Sequence, residues 1–427
     1  MHLVSAIAVI IENRAIDTAY RLHYAGAASP VLAMRLCNLS RCEDQLAKGR
    51  KGMSMAQAKI RLGIIGANMH YGWGSRAHLP ALTQLPDYEL VAVCTAHQET
   101  ADETAKHFGV PLAFHDHHEL LRHPDIDAVA VVVRVPLHHR LTMDVLRAGK
   151  HVYTEWPLGA NLHEAREMAD LAQTQGVHTM VGLQGRFAPA FRRLKELIDE
   201  GFVGELLSCH LTQIRPGVLT RTSGRTWQRD RTLGATTLTI PFGHAVDCMC
   251  MCVGEFSEVS AVVSTQVPQW HETDTDRLVD VTAPDTILVS GRLASGAVAS
   301  VQVASVPWHG SGMKLEIYGR EGTLVASTGL SAQIDPIRLE GARSGDRSLQ
   351  TLPIPERLSA LPAGVPAGES TNVAGVYQGF AEAIHTGRRI EPDFATAVRR
   401  HILVEAVQAA SDQGRRVPIT MPEGPTG

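Results

Sequence analysis

Gly66-Ala67-Asn68-Met69-His70-Tyr71-Gly72 has the residue types of a phosphate-binding turn, and it follows a short apolar run, Ile60 to Ile65. A glycine at such a turn lets the backbone approach a pyrophosphate, and the amides and dipole of the next helix favour the anion. Gly66, Asn68 and Met69 are therefore candidate cofactor contacts. The motif is irregular: Asn68 stands where a second glycine is usual, and the stretch to Gly72 and Gly74 is long. A second chemistry lies between Arg215 and Arg231, with five arginines and a single acid, Asp230. Arginines there can clamp a carboxylate or phosphate, and Trp227 beside Arg229 can stack on a sugar face. The competing reading is a solvated loop. Cys248, Cys250 and Cys252 alternate by two, which cannot aim three thiols one way on a helix, and no Cys-x-x-Cys pair occurs. They read as a sulfur-rich buried helix, and no metal site is expected. His115-Asp-His-His-Glu119 reads as a solvated helix start, with Leu120 and Leu121 as its apolar face.

The elements that must hold these residues follow from hydrophobic pattern. The run to Ile65, the glycine turn, a helical His78 to Leu82 and a strand Tyr88 to Cys94 make the first unit of a dinucleotide fold. The pattern repeats through helical Thr100 to Phe108 and His118 to Leu121, strand Ala128 to Val133, helix Leu141 to Ala148 and strand Val152-Tyr153. Alternation of this kind implies a doubly wound parallel sheet with ligands at the carboxyl ends of its strands. The second strand ends in Thr95-Ala-His97, with no carboxylate before Glu99. An acid there would bind a ribose 2′-hydroxyl; Thr95 leaves room for a 2′-phosphate and favours NADP over NAD. Further on, Ala261 to Val267, Thr286 to Gly291, Ala297 to Val303 and Lys314 to Tyr318 are strand-like, and Gly319 to Gly322 is a tight turn. Val376 to Ala410 reads as helical, and Ser344 to Thr371 as an exposed crossing.

Composition agrees. A chain of 427 residues suggests two or three domains. Hydrophobic content of 44% excludes a mainly disordered chain. Lys plus Arg minus Asp plus Glu is 40 − 44 = −4, which argues against direct nucleic-acid binding. No apolar run reaches the roughly 18 residues of a membrane span. Seven cysteines form no secreted framework, so reduced thiols and a cytoplasmic location are expected. Residues 1–58 form an extension; its apolar start lacks a basic flank, so an over-long start before Met53 or Met55 is expected, with a targeting or regulatory arm as the alternative.

Val135-Pro136, His138, Gly149 to Val152, Glu155-Trp156-Pro157 and Gly182-Leu-Gln184-Gly-Arg186 resemble the glucose–fructose oxidoreductase/inositol dehydrogenase (Gfo/Idh/MocA) family, from about Lys59 to Pro418. Asn68, Gly72-Trp73, Glu155-Trp156, Leu183 to Arg186 and Phe242-Gly-His244 look closest to the fungal galactose-pathway repressor branch, which keeps the fold and the dinucleotide but regulates transcription. The resemblance implies an α/β chain: a dinucleotide-binding Rossmann domain at 59–180, then an α+β substrate domain at 181–427 with an open, largely antiparallel sheet. A homo-oligomer is expected.

Most members of that family use the Lys of a Glu-Lys-Pro motif with an Asp and a His four residues apart. Here Trp156 replaces the Lys and Ile240 the Asp, so only His244 is kept. An imidazole titrating near neutrality can act as acid or base unaided, although a lone His before a helix is also a common core residue. Asp247, one turn on, fits the first turn of that helix. By the same resemblance, Glu155 and Pro157 shape the nicotinamide turn, and Trp156 faces the nicotinamide or packs the wall. Pro136 and His138 lie on the ligand edge, Gln184 and Arg186 line the cleft, and Trp227 and Arg229 belong to the substrate loop. The expected function is an NAD(P)-dependent oxidoreductase acting on a sugar, sugar acid or polyol. The alternative is a dinucleotide-binding regulator that works through a protein partner.

Overall fold

A computed structural model describes residues 58–421 apart from 71 and 335; the expectations for the N-terminal extension lie outside the described residues. The first sheet is built from β1 (Ile60–Ile65), β2 (Tyr88–Cys94), β3 (Leu112–Phe114), β4 (Ala128–Val131), β5 (His151–Thr154) and β6 (Thr179–Val181). All pairings are parallel, in the order β3-β2-β1-β4-β5-β6. β4 is buried at every position, as a sheet covered on both faces requires. The chain order reverses beside β1, so the crevice of the fold opens past the ends of β1 and β4.

A helical stretch, Gly74–His78 continuing into Leu79–Leu82, follows the loop after β1, and α1 (Gln98–Phe108), α2 (His117–Arg122), α3 (His138–Arg147) and α4 (Leu162–Gln175) also flank this sheet. α4 shows why they start and stop where they do. Asn161 caps it by accepting the Glu164 amide, and Gly176 ends it in the left-handed region.

After α5 (Pro189–Asp199) the chain enters β7 (Leu206–Pro216), then β8 (Thr220–Arg221), α6 (Pro241–Val253), β9 (Phe256–Ser264), β10 (Gln269–Glu272), β11 (Arg277–Asp280), β12 (Thr286–Leu293), β13 (Val298–Val306), β14 (Gly312–Gly319), β15 (Gly322–Thr328), β16 (Arg338–Arg343) and β17 (Gln350–Thr351). It ends with α7 (Glu369–Thr386), α8 (Phe394–Gln413) and β18 (Val417–Pro418). The second sheet has nine strands, β17-β16-β15-β14-β7-β13-β12-β9-β18, with only β7 and β13 parallel. α5, α6 and α8 cover one face. On the other, Val262 and Leu288 are paired across β9 and β12 and both are exposed.

The segment expected to be helical, Val376 to Ala410, falls within two helices. Gly387 ends α7 at φ +69, and a turn through Pro392 precedes the Asp393 cap of α8. The break lets the two serve different cores. Val373, Val376, Tyr377 and Phe380 of α7 pack into the core of the dinucleotide sheet. α8 joins both layers: Phe394 and Ala397 pack against the first sheet's other core, Leu403 and Val407 against the second sheet's. Among the described residues, no helix is long and apolar enough to cross a membrane.

Candidate functional site

The carboxyl end of β1 runs into Gly66 at φ +100, where an added Cβ would stand 2.2 Å from the Val132 carbonyl oxygen. Only glycine fits this meeting of the β1 and β4 ends. The next residues form an amide-rich loop: Asn68 Oδ1 accepts the His70 amide at 2.8 Å, and the Met69 amide donates to Thr104 Oγ1 at 3.3 Å. Gly74 is also obligatory, since its Cβ would meet the Ala67 Cα at 2.9 Å. At the end of β2, the Thr95 hydroxyl is buried beside the His97 carbonyl (2.9 Å) and the Thr100 hydroxyl (2.6 Å).

Glu155, after β5, lies at the centre of a buried cluster. Its Oε1 accepts from Tyr153 at 2.6 Å and lies 3.0 Å from His78 Nε2, while Gln184 donates to both carboxylate oxygens at 3.0 Å. His78 Nδ1 in turn reaches the Tyr377 hydroxyl at 2.8 Å, on α7. Burial pushes the Glu155 pKa up, but the hydrogen bond from His78 outweighs it together with Tyr153 and His244, and the carboxyl sits below its usual range. The space around that carboxylate requires Gly182, whose Cβ would stand 2.6 Å from Oε1. His78 and Tyr377 were not singled out in the sequence. A histidine one helix after the phosphate loop was the available signal, but its partner is 299 positions away.

Trp156 is buried, with its indole N–H donating to the Thr239 carbonyl at 2.8 Å. It lies over Gly243, where a Cβ would be 2.5 Å from Nε1, and against His401 at 4.8 Å between ring centroids. His138 is buried between two carbonyls, Pro157 at 2.7 Å from Nδ1 and Val133 at 3.1 Å from Nε2, so it ties the Trp156-Pro157 turn to the end of β4. Pro136 lies in the turn that precedes it.

His244 occupies the first turn of α6, among residues buried almost throughout. Its Nδ1 is buried with no hydrogen-bond partner among the described residues. Burial pushes the imidazole down to about 4, against the pull of Glu155 and Asp247 and with the help of Arg215. The expectation of a group titrating near neutrality is therefore corrected: this ring stays neutral through the physiological range.

Arg186 has a different place from the one expected. Its guanidinium is forked onto Asp247 at 2.8 Å for both bonds, and its Nη1 donates to Glu391 at 2.8 Å. Arg399 continues from Glu391 at 2.5 Å to Glu255, and Arg400 closes the circuit from Glu255 back to Asp247. Six side chains of alternating charge thus form a ring joining α6, α8 and the turn after β6. Asp247 spends its hydrogen bonds in this ring and acts on His244 through its charge.

The arginine-rich segment folds as short 3-10 turns, Ser223–Arg229 and Arg231–Leu233. Arg134, just past β4, donates to the Gly224 carbonyl at 2.9 Å and lies 5.7 Å from the Trp227 ring centre, so the loop is fastened to the ligand edge of the first sheet. Arg229 is exposed and turned to the Asp280 carbonyl at 3.3 Å. Behind this loop is a cavity of about 160 Å³ whose lining includes Arg215, Arg221, Arg225, Trp270, Ile240 and Pro241. The three cysteine thiols of α6 are buried and free, and burial raises each of them. Asp116, His117 and His118 hold ligand-type atoms within 4.8 Å of one another, but Asp116 caps α2 through the His118 amide and His117 bonds Asp144.

Residues 60–183 match the family described as Oxidoreductase family, NAD-binding Rossmann fold, and residues 189–328 match the family Gal80p, C-terminal domain. A dehydrogenase of Aspergillus oryzae, aclE, is 33% identical over 250 residues, covering 56% of this chain and 68% of that one. The levoglucosan dehydrogenase of Pseudarthrobacter phenanthrenivorans is 28% identical over 379 residues, covering 82% of this chain and 95% of its own. In structure, a levoglucosan dehydrogenase in complex with NADH and levoglucosan superposes with a TM-score of 0.74 at 24% identity, over 86% of this chain and all of the other, a likeness of fold.

Proposed function

Since the chain belongs to the Gfo/Idh/MocA oxidoreductase family, we propose that it is an NAD(P)-dependent dehydrogenase of a sugar, sugar acid or polyol, with His244 as its acid–base group. The observation that supports this reading is the buried His244 ring, whose Nδ1 has no hydrogen-bond partner among the described residues and which lies within electrostatic reach of Glu155. The relatives named above include a dehydrogenase of a sugar derivative, which supports the substrate class.

The residues at the crevice fit a dinucleotide. Gly66 and Gly74 keep the loop after β1 tight, and Gly72 has open space where a Cβ would be. In this reading Gly66, Asn68 and Met69 hold the pyrophosphate, Thr95 faces the adenosine ribose, and Pro136, His138, Glu155, Trp156 and Gln184 build the nicotinamide end. The absence of a carboxylate at Thr95 leaves NADP acceptable and preferred to NAD. The bound cofactor would supply the hydride acceptor or donor. His244 would take the hydroxyl proton of the substrate during oxidation and return it during reduction, as a neutral imidazole is able to do. Trp156 and His138 hold the turn that carries Glu155, and Glu155 favours the protonated form of His244.

A second reading, a dinucleotide-binding regulator, is favoured by the match of residues 189–328 to the Gal80p C-terminal domain and by the missing Lys and Asp. Turnover separates the two. Purified protein assayed with both cofactors against aldoses, uronates and polyols should show activity, and His244→Ala should lower kcat by roughly a hundredfold or more while cofactor affinity holds. Tight cofactor binding with no turnover on any of these substrates would leave the regulator.

A further inference from the structure

We propose that Tyr377 and His78 are positioning residues of the reaction. A chain of hydrogen bonds from Tyr377 through His78 fixes Glu155 as an ion, and that ion supports the charge His244 gains when it takes the substrate's proton. This rests on the dehydrogenase reading and adds to it two residues outside its acid–base and cofactor sets. In oxidation the substrate's hydroxyl proton passes to His244 as its C–H hydride passes to the bound dinucleotide, so the imidazole ends the step as a cation.

The chain has a direction. An ionised carboxylate can only accept, so the Tyr153 hydroxyl at 2.6 Å, the Gln184 amide at 3.0 Å to each oxygen and His78 Nε2 at 3.0 Å all donate to Glu155. His78 Nδ1 is held from the far side by the Tyr377 hydroxyl at 2.8 Å. Packing keeps the imidazole in this line: it has no solvent exposure and stands edge-on to Tyr153 and Tyr377, at 5.3 and 5.7 Å between centroids. Tyr377 is fixed in turn. It stacks on Tyr153 at 5.0 Å, and its backbone carbonyl accepts the Tyr88 hydroxyl at 2.7 Å.

What lies beside Glu155 gives this chain a role beyond packing. Burial drives the His244 imidazole toward its neutral form, and three charges act on it besides: Glu155 from the turn after β5, Asp247 from α6 itself and Arg215 from β7. Asp247 is forked onto Arg186 and also faces Arg400, so guanidinium groups compensate its charge. The side chains that donate to Glu155 are a phenol, an amide and an imidazole, with no guanidinium or ammonium among them. Its charge is therefore the better placed of the two to stabilise an imidazolium at His244, and it can do so only as an ion. Burial favours the protonated carboxyl, and the hydrogen bond from His78 is the largest influence against that. Removing the Tyr377 hydroxyl releases the far side of His78, weakens this donation and lets Glu155 take a proton at higher pH.

The test is an NMR titration of the full chain with carbon-13 in its glutamate carboxyls, the Glu155 signal being assigned by its loss in Glu155→Gln. In Tyr377→Phe the Glu155 carboxyl should titrate at least about half a pH unit higher, roughly a threefold gain in proton affinity. His78→Phe, which deletes the donor outright, should move it at least as far and gives the same reading where Tyr377→Phe does not fold. His78→Gln keeps an amide that can donate, so it should move the carboxyl less than His78→Phe does. The acid limb of the kcat profile for oxidation should shift upward with the carboxyl, while KM and dinucleotide affinity hold. A carboxyl unmoved in both Tyr377→Phe and His78→Phe would overturn the chain. A carboxyl that moves while the acid limb stays in place would overturn the positioning role. Wild-type protein without turnover would remove the dehydrogenase reading and the role in turnover with it, while the carboxyl titration, which needs no turnover, still judges the chain.

Discussion

His78 and Glu155, 77 positions apart, meet at 3.0 Å in a setting where the imidazole has no solvent exposure at all. That contact joins the helix after the phosphate loop to the turn after β5, and through Tyr377 it extends to α7. His78→Phe keeps a ring of similar shape but strands the Tyr377 hydroxyl and takes a donor from a buried carboxylate. The variant should lose about 1–3 kcal/mol of stability, the penalty for unsatisfied buried polar groups, as read by urea unfolding. It should also raise the Glu155 pKa, because the His78 hydrogen bond is the largest influence opposing burial. Wild-type stability in this variant would mean that the cluster is not a unit.

Gly66→Val should abolish dinucleotide binding measured by fluorescence titration. The new Cβ would collide with the Val132 carbonyl, and φ +100 is strained for any branched residue. Unchanged affinity would show that the phosphate loop lies elsewhere.

The Thr95 position should govern the choice between cofactors. Thr95→Asp adds an acceptor for a ribose 2′-hydroxyl and repels a 2′-phosphate, so the NADP to NAD affinity ratio should fall at least tenfold, equivalent to about 1.4 kcal/mol. Wild-type protein that already binds NAD much more tightly than NADP would defeat this at the outset.

Acid should destabilise the fold early. Burial holds His244 at about 4 and His401 at about 3, both below the ordinary histidine value near 6.5 of the unfolded chain. The unfolded chain therefore takes up protons first as pH falls. The stability that neutral burial confers is complete above about pH 6.5 and declines toward the folded values, by about 1.4 kcal/mol per pH unit for each histidine. Tm should drop between pH 7.5 and 5, and His401→Gln should reduce the drop. A flat Tm over that interval would contradict the burial of these rings as neutral species.

Much of the first sheet was legible because its strands carry continuous apolar runs and its turns carry glycines. β7 was not: Ser208, His210 and Thr212 fall on its less covered face and interrupt the run, although Cys209, Leu211 and Gln213 are buried between them. The arginine segment reads from sequence as either a ligand loop or a solvated one, with Trp227 and Arg229 as its candidates. Spacing cannot say that a 3-10 turn sends Arg229 outward to Asp280, or that the pairing of β8 with β10 places Arg221 over Trp270. Arg186 is a similar case. A guanidinium near a cleft reads as a ligand clamp until its partners are known, and Asp247 and Glu391 lie 61 and 205 positions away.

The ring of Arg186, Asp247, Arg400, Glu255, Arg399 and Glu391 contains three cations and three anions, so it sums to zero. A neutral, alternating circuit projects almost no field beyond its own diameter. Arg225 and Arg229 of the loop lie outside the circuit and keep their charge at the surface. Added salt should therefore leave the junction of the two sheets nearly untouched while it weakens the attraction of the loop arginines for an anion.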